Sequence, residues 1–256
     1  MLQSAVNGRE IAKRDVLGIP VHDFARDEAL EFLHGRIALR NYTPVTFLNA
    51  HNANIAMRDA GFRNALERFT VLSDGIGVDI AAQLLHGARF RANLNGTDFV
   101  PDLLRSAQFP LKVGLFGARP GIAEKAGERF AALDGRHEYR VVHHGYFDGS
   151  DEQRILDGLA QWRPDILLVA MGVPKQELWI AEKLTGEHCT ISMGIGALFD
   201  FASGSVPRAP RWVRAMRSEW VYRMIREPRR LGHRYLVGNP RFIGHVLRRK
   251  FARGAN

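Results

Sequence analysis

The sequence predicts an α/β fold: a mostly parallel sheet with helices on both faces, extended by a basic helical C-terminal appendage. Short runs rich in Val, Ile, Leu and Phe alternate with longer amphipathic segments, the pattern of repeated strand–helix units. The chain has 25 glycines in 256 residues, enough for the tight turns that join such units. Its charge is divided: residues 208–253 hold thirteen Arg and Lys250 against only Glu219 and Glu227, a net of +12. The whole chain is +9, which leaves 22 basic and 25 acidic residues, or −3, for residues 1–207. An acidic body thus carries a basic tail.

Strands are expected at 45–49, 70–73, 112–117, 139–143, 165–171 and 189–194, and helices at 23–39, 50–67, 77–85, 98–107, 121–133, 151–161 and 174–184. Several of the helices open on Asp, Gly or Pro, as helix starts do. Regular alternation of this kind argues for a Rossmann-like parallel sheet buried on both sides. Beyond 203–210, a joint rich in Ser, Gly and Pro, the residues Trp212, Met216, Trp220 and Met224 recur every four positions among Arg211, Arg214, Arg217, Arg223 and Arg226. That spacing gives a helix with an apolar stripe. Residues 1–206 are therefore expected to form the core, and 207–256 a basic amphipathic appendage suited to an anionic surface.

The size permits a large core without disulfide or metal staples. Cys189, the one cysteine, sits in an apolar stretch and reads as a small buried strand residue. The N-terminus shows no signal-peptide pattern, and no run of about eighteen apolar residues occurs, so a cytoplasmic protein with at most peripheral membrane contact is expected.

In parallel sheets ligands bind beyond the carboxyl ends of the strands. Several of those ends are polar or glycine-rich here. Asp74 follows a strand and precedes Gly75-Ile-Gly77, where it reads equally as a general base or as the cap of the next helix. Gly172-Val-Pro-Lys-Gln-Glu177 puts Pro174 at a first helical position with Lys175 beside free backbone N–H groups, a candidate anion site without phosphate-loop spacing. Residues 114–121 match a dinucleotide glycine turn only loosely. His143 and His144 should point to opposite faces of a strand, one packed and one solvated. No Asp-x-Asp at a strand end, His-Glu-x-x-His, Cys-x-x-Cys or Gly-x-Ser-x-Gly occurs, so metal and serine-hydrolase chemistry have little support.

The ordered set Leu48-Asn-Ala, Ser73-Asp-Gly-Ile-Gly77, Asn95-Gly-Thr-Asp98, Gly172-Val-Pro-Lys-Gln-Glu177, Gly196-Ala-Leu-Phe-Asp200, Arg208-Ala-Pro-Arg-Trp212 and Glu227-Pro-Arg-Arg-Leu231 resembles the WecG/TagA/CpsF family of bacterial glycosyltransferases from about Val16 to Phe242. The resemblance implies inverting transfer of a sugar (N-acetylmannosamine, its uronic acid or a hexose) from a UDP-sugar to a polyprenol-diphosphate-linked acceptor at the cytoplasmic membrane face, in cell-surface polysaccharide synthesis. It implies no metal and no other cofactor. By the same resemblance Asp74 matches the catalytic base, Gln176 a residue of the substrate pocket, and Asn49, Asn95 and Asp98 motifs bordering that pocket, with Gly172 and Lys175 in the same loop as Gln176. The appendage would associate with the membrane, and Arg223, Arg230 and Arg234 would complete the site over the diphosphate; most of the other arginines are ordinary solvated ones. Two positions depart from the family pattern: Phe47 stands where many members have Thr, a role lost here or passed to Thr46, and Asn93 stands where many have Arg. A competing assignment, nucleic-acid binding by the arginine tail, fits poorly with a polar crevice on a separate acidic body.

Overall fold

In the computed structural model the described residues are 11–210, 213 and 219–254, the side chains of 230, 253 and 254 excepted. The expected Trp212, Met216, Arg211, Arg214 and Arg217 stripe lies outside them, as does the Arg230 side chain.

A two-stranded antiparallel hairpin comes first, β1 (Lys13–Val16) and β2 (Ile19–His22). Its two-residue turn, Leu17 and Gly18, has positive φ at both positions (57° and 90°), the turn whose twist suits a hairpin. The sequence reading missed this hairpin because Leu-Gly lacks the usual Asn-Gly signal.

The main sheet has six strands: β3 (Thr43–Leu48), β4 (Thr70–Ser73), β5 (Lys112–Gly117), β6 (Glu138–His143), β7 (Ile166–Ala170) and β8 (Ile191–Gly194). Their order is β4-β3-β8-β7-β5-β6, and every pairing is parallel. The central strands β7 and β8 are buried throughout. Alternation then divides the core: Leu167 and Val169 pack on one face, Ile166, Leu168 and Ala170 on the other. The first face carries α2 (Ala50–Ala56), α4 (Ile76–His86), α7 (Gly149–Trp162) and α8 (Lys175–Lys183), with α3 (Ala60–Leu66) packed against α8. The second carries α1 (Arg26–Ala38), α5 (Gly96–Ser106), α6 (Ile122–Leu133) and the short α9 (Leu198–Ala202).

Three expectations change in detail. The helix expected at 50–67 is two helices, because Asp59 accepts a hydrogen bond from Phe62 N at 2.9 Å and caps a new start. Pro174 is the N-cap of α8 and lies just outside the helix. Cys189 is buried, but it precedes β8.

The C-terminal segment runs through α10 (Glu219–Arg226), α11 (Pro228–Gly232), a π turn (His233–Val237) and the long α12 (Gly238–Gly254). Helix α10 buries no residue, whereas α12 packs across α2 and α4 and places Phe242 and Val246 (both 0% exposed) in the core of the first face. Asn54 Nδ2 donates to Gly238 O at 2.7 Å, and Arg249 pairs with Asp15 at 3.1 Å. Ile225, Leu236, Val237, Leu247 and Phe251 remain exposed.

Candidate active site

Strands β3 and β4 are neighbours, so Asn49 and Asp74, the first residues past each, emerge side by side. Asn49 caps α2: its Oδ1 accepts from His51 N and Asn52 N, both at 3.1 Å. With that oxygen fixed, its Nδ2 donates to Asp74 Oδ2 at 3.3 Å. The capping role thus falls to Asn49, while α4 starts after Gly75 without any side-chain cap. The Asp74 carboxylate is free of that duty. Asn93, at the position where Arg is common in the family, accepts from Gly75 N at 2.7 Å and ties the 93–98 segment to the same strand end.

Burial is the main influence on Asp74, and it raises the carboxyl above its ordinary range. Opposing it are the Asn49 hydrogen bond and the charges of Arg234 and Arg223, while Glu219 adds to the rise. His51 is pushed down to about 4 by burial and by Arg234, so its imidazole is neutral at neutral pH. The cations that face Asp74 are therefore arginines of the C-terminal segment.

Arg223 of α10 lies over the Phe201 ring at 5.0 Å, and its buried Nε has no hydrogen-bond partner among the described residues. Arg234 sits in the π turn over Tyr235, whose ring is 5.6 Å from that of Trp220. Arg208 was not singled out from sequence as a site residue. It bonds Asp98 Oδ1 at 2.7 Å and Glu219 Oε2 at 3.2 Å, fastening α5 to α10. Asn95 caps α5 through Asp98 N and also donates to the Asp98 carboxylate, both at 3.0 Å. An open cleft of about 450 Å³ lies beside Asp98, lined by Arg26, Thr97, Asp102, Arg105 and Arg208 among others.

The residues after β7 divide. Gly172 and Lys175 are exposed, with Lys175 Nζ 5.4 Å from the Phe147 ring centroid. Gln176 is only 1% exposed: its Nε2 donates to Glu177 Oε1 at 2.8 Å and its Oε1 accepts from Gly196 N at 3.3 Å. It lies under the turn that follows β8. Glu177 is fully buried and accepts from Thr46 Oγ1 at 2.8 Å. The hydroxyl of Thr46 thus faces away from Phe47, which packs against Gly96. His143 and His144 do not part as expected: both are half-buried with ring centroids 4.2 Å apart, because β6 ends at His143 and its alternation does not reach His144.

Among the described residues no group of three or more His, Cys, Asp or Glu is arranged to hold a metal ion, and no helix is long and apolar enough to cross a membrane.

The Glycosyl transferase WecG/TagA/CpsF family profile matches residues 14–256. The N-acetylglucosaminyldiphosphoundecaprenol N-acetyl-β-D-mannosaminyltransferase of Bacillus subtilis (strain 168) is 30% identical over 209 residues, 80% of this chain and 78% of its own. The protein of the same name from Staphylococcus aureus (strain MW2) is 27% identical over 247 residues, 93% of this chain and 94% of its own. That of Bacillus spizizenii (strain ATCC 23059 / NRRL B-14472 / W23) is 31% identical over 185 residues, 71% and 69% of the two chains. With a profile match that takes in both the strand-end crevice and the arginine-rich C-terminal segment, the chain belongs to the WecG/TagA/CpsF family and is a glycosyltransferase.

Proposed function

We propose that the protein transfers N-acetylmannosamine from a UDP-sugar to an N-acetylglucosamine carried on a polyprenol diphosphate, with inversion and without a metal ion. The relatives' names supply the sugar and the acceptor class. The observation that carries the chemistry is Asp74: a carboxyl just past the carboxyl end of β4, held by Asn49 and influenced by the charges of Arg223 and Arg234.

In this reading Asp74 takes the proton from the acceptor hydroxyl as its oxygen bonds to the anomeric carbon. The bond from that carbon to the diphosphate breaks on the opposite side, and UDP leaves with the electron pair. Withdrawal from water makes Asp74 a stronger base than a solvated carboxylate, and the two arginines favour its ionised form. As the diphosphate gains charge, guanidinium groups meet its oxygens in a forked geometry. Arg223 and Arg234 have this role, joined by Arg230 on the strength of its place in the family motif. Asn95 and Asp98 border the acceptor side, and Gly172 and Lys175 the far rim.

Residues 207–256 act as the membrane-associating appendage in the same reading. Exposed Ile225, Leu236, Val237, Leu247 and Phe251 interleave with arginines, the composition of a face that lies on anionic lipid. The enzyme then works at the inner face of the membrane, where its acceptor is embedded. Incubating the protein with UDP-N-acetylmannosamine, a lipid-diphosphate N-acetylglucosamine and a chelator tests the whole reading. UDP release that depends on the acceptor is expected; its absence with every UDP-sugar overturns the proposal.

A further inference from the structure

Below the crevice lies a buried polar chain that the transfer step does not use. Glu177 is 0% exposed, and its Oε1 accepts from Thr46 Oγ1 of β3 and from Gln176 Nε2, both at 2.8 Å. Its Oε2 is buried with no hydrogen-bond partner among the described residues. Gln176 in turn accepts from Gly196 N in the turn after β8. A Cβ on Gly194 would meet Gln176 Nε2 at 2.9 Å and Glu177 Oε1 at 3.1 Å, so the pair packs directly on the end of β8. The chain therefore joins β3, α8 and the turn after β8 at one point.

Several charged groups on the elements packed around α8 have partners elsewhere. Glu152 of α7 pairs with Lys183 and Trp179; Glu182 pairs with Lys183; Arg68, after α3, donates to Ala181 O; Lys175 lies over Phe147; Tyr42 and Ser192 share a hydrogen bond. No cation is left facing Glu177 among these. Oε2 is short of a partner in either form, but a carboxylate there would also be a buried charge with no cation opposite it among these groups, a cost that the neutral acid does not carry.

We propose that Glu177 is a positioning residue: as a neutral carboxylic acid it locks Gln176 against the Gly194–Gly196 turn and so fixes the floor of the crevice for the transfer step. This rests on the proposed site at the sheet's carboxyl edge. Burial pushes the Glu177 carboxyl up to about 7 against the Gln176 and Thr46 hydrogen bonds, which favour the ionised form, so ionisation above that pH puts an unopposed charge in the core and destabilises the packing around it.

The test pairs infrared spectroscopy with kinetics on the full chain. Wild-type minus Glu177→Gln infrared difference spectra should show a protonated-carboxyl band in mild acid that fades with a midpoint near pH 7. Over the same range wild-type kcat should fall, while Glu177→Gln keeps its rate. Glu177→Ala should lose on the order of 10²-fold in kcat with the KM for the UDP-sugar unchanged. Absence of the band in mild acid, or a Glu177→Gln profile that superimposes on wild type, overturns the proposal; Glu177→Gln keeps the carboxyl's shape and decides the matter even if the alanine variant does not fold. If no UDP-sugar supports turnover, the assigned reaction fails, and the infrared band still judges Glu177.

Discussion

Asp74 and Glu177 are two carboxyls withdrawn from water at the same edge of one sheet, and burial is the largest influence on both. Both end above the ordinary carboxyl range, and their neighbours oppose the rise in both, but the neighbours differ in kind. Asp74 meets an amide N–H of Asn49 and the positive charges of Arg234 and Arg223, all of which favour the ionised form. Glu177 meets one hydroxyl and one side-chain amide, which also favour the ionised form, but no positive charge among the described residues. In the readings proposed above, the same chemical group serves as a base in one place and as an uncharged strut in the other. What separates them, among the described residues, is that Arg223 and Arg234 act on Asp74 while no arginine is among the influences on Glu177.

The sharpest way to break this contrast is to remove the base. Asp74→Asn should lower kcat by roughly 10²- to 10⁴-fold while UDP binding by calorimetry stays unchanged, and a variant within a few-fold of wild type would end the assignment. Next come the arginines. Arg223→Ala or Arg234→Ala should each cost about 10²-fold in kcat. Each also removes an influence that lowers the proton affinity of Asp74, so the acid limb of kcat/KM should move to higher pH. The corresponding lysine variants should keep the limb in place and still lose rate, because the charge remains while the fork is gone.

A smaller effect tests the strut. The folded-state value for Glu177, about 7, lies above the ordinary 4.5, so its stabilisation is complete at pH below the ordinary value and is lost as pH rises through about 7. Urea unfolding should show a decline on the order of 3 kcal/mol across that window in the wild type, and a flatter curve for Glu177→Gln. Smallest is Asn49→Ala, which removes the cap of α2 and should cost about 1 kcal/mol. Asn49 outranks either arginine among the groups that hold Asp74 down, so its acid limb should shift further than theirs.

Much of this architecture was legible in the sequence, because six apolar runs between amphipathic segments leave few alternatives to a parallel sheet. The expected bounds of β4 and β5 coincide with the observed ones. The Asn49–Asp74 pairing was half within reach: Asp74 follows its expected strand, whereas the expected 45–49 strand takes in Asn49, which in the structure is the cap of α2. Glu177 was not: an acidic residue in the first turn of a helix reads as a surface group, and only Thr46, 131 positions away, reveals it as interior. Periodicity also cannot say what covers an apolar stripe. Phe242 and Phe251 look alike in sequence, yet the first is fully buried on the body and the second is 72% exposed.

The π turn at His233–Val237 sits within one continuous helical run from Pro228 to Gly254. One such turn inserts an extra residue and rotates everything beyond it by about 100° relative to an unbroken α-helix. Arg234 must point toward the crevice, whereas Phe242 and Val246 must point into the body. The added residue sets the clocking between the two. A helix shortened by one residue there would have to choose, keeping its anchor seated with the guanidinium swung away or keeping the guanidinium aimed with the anchor unseated.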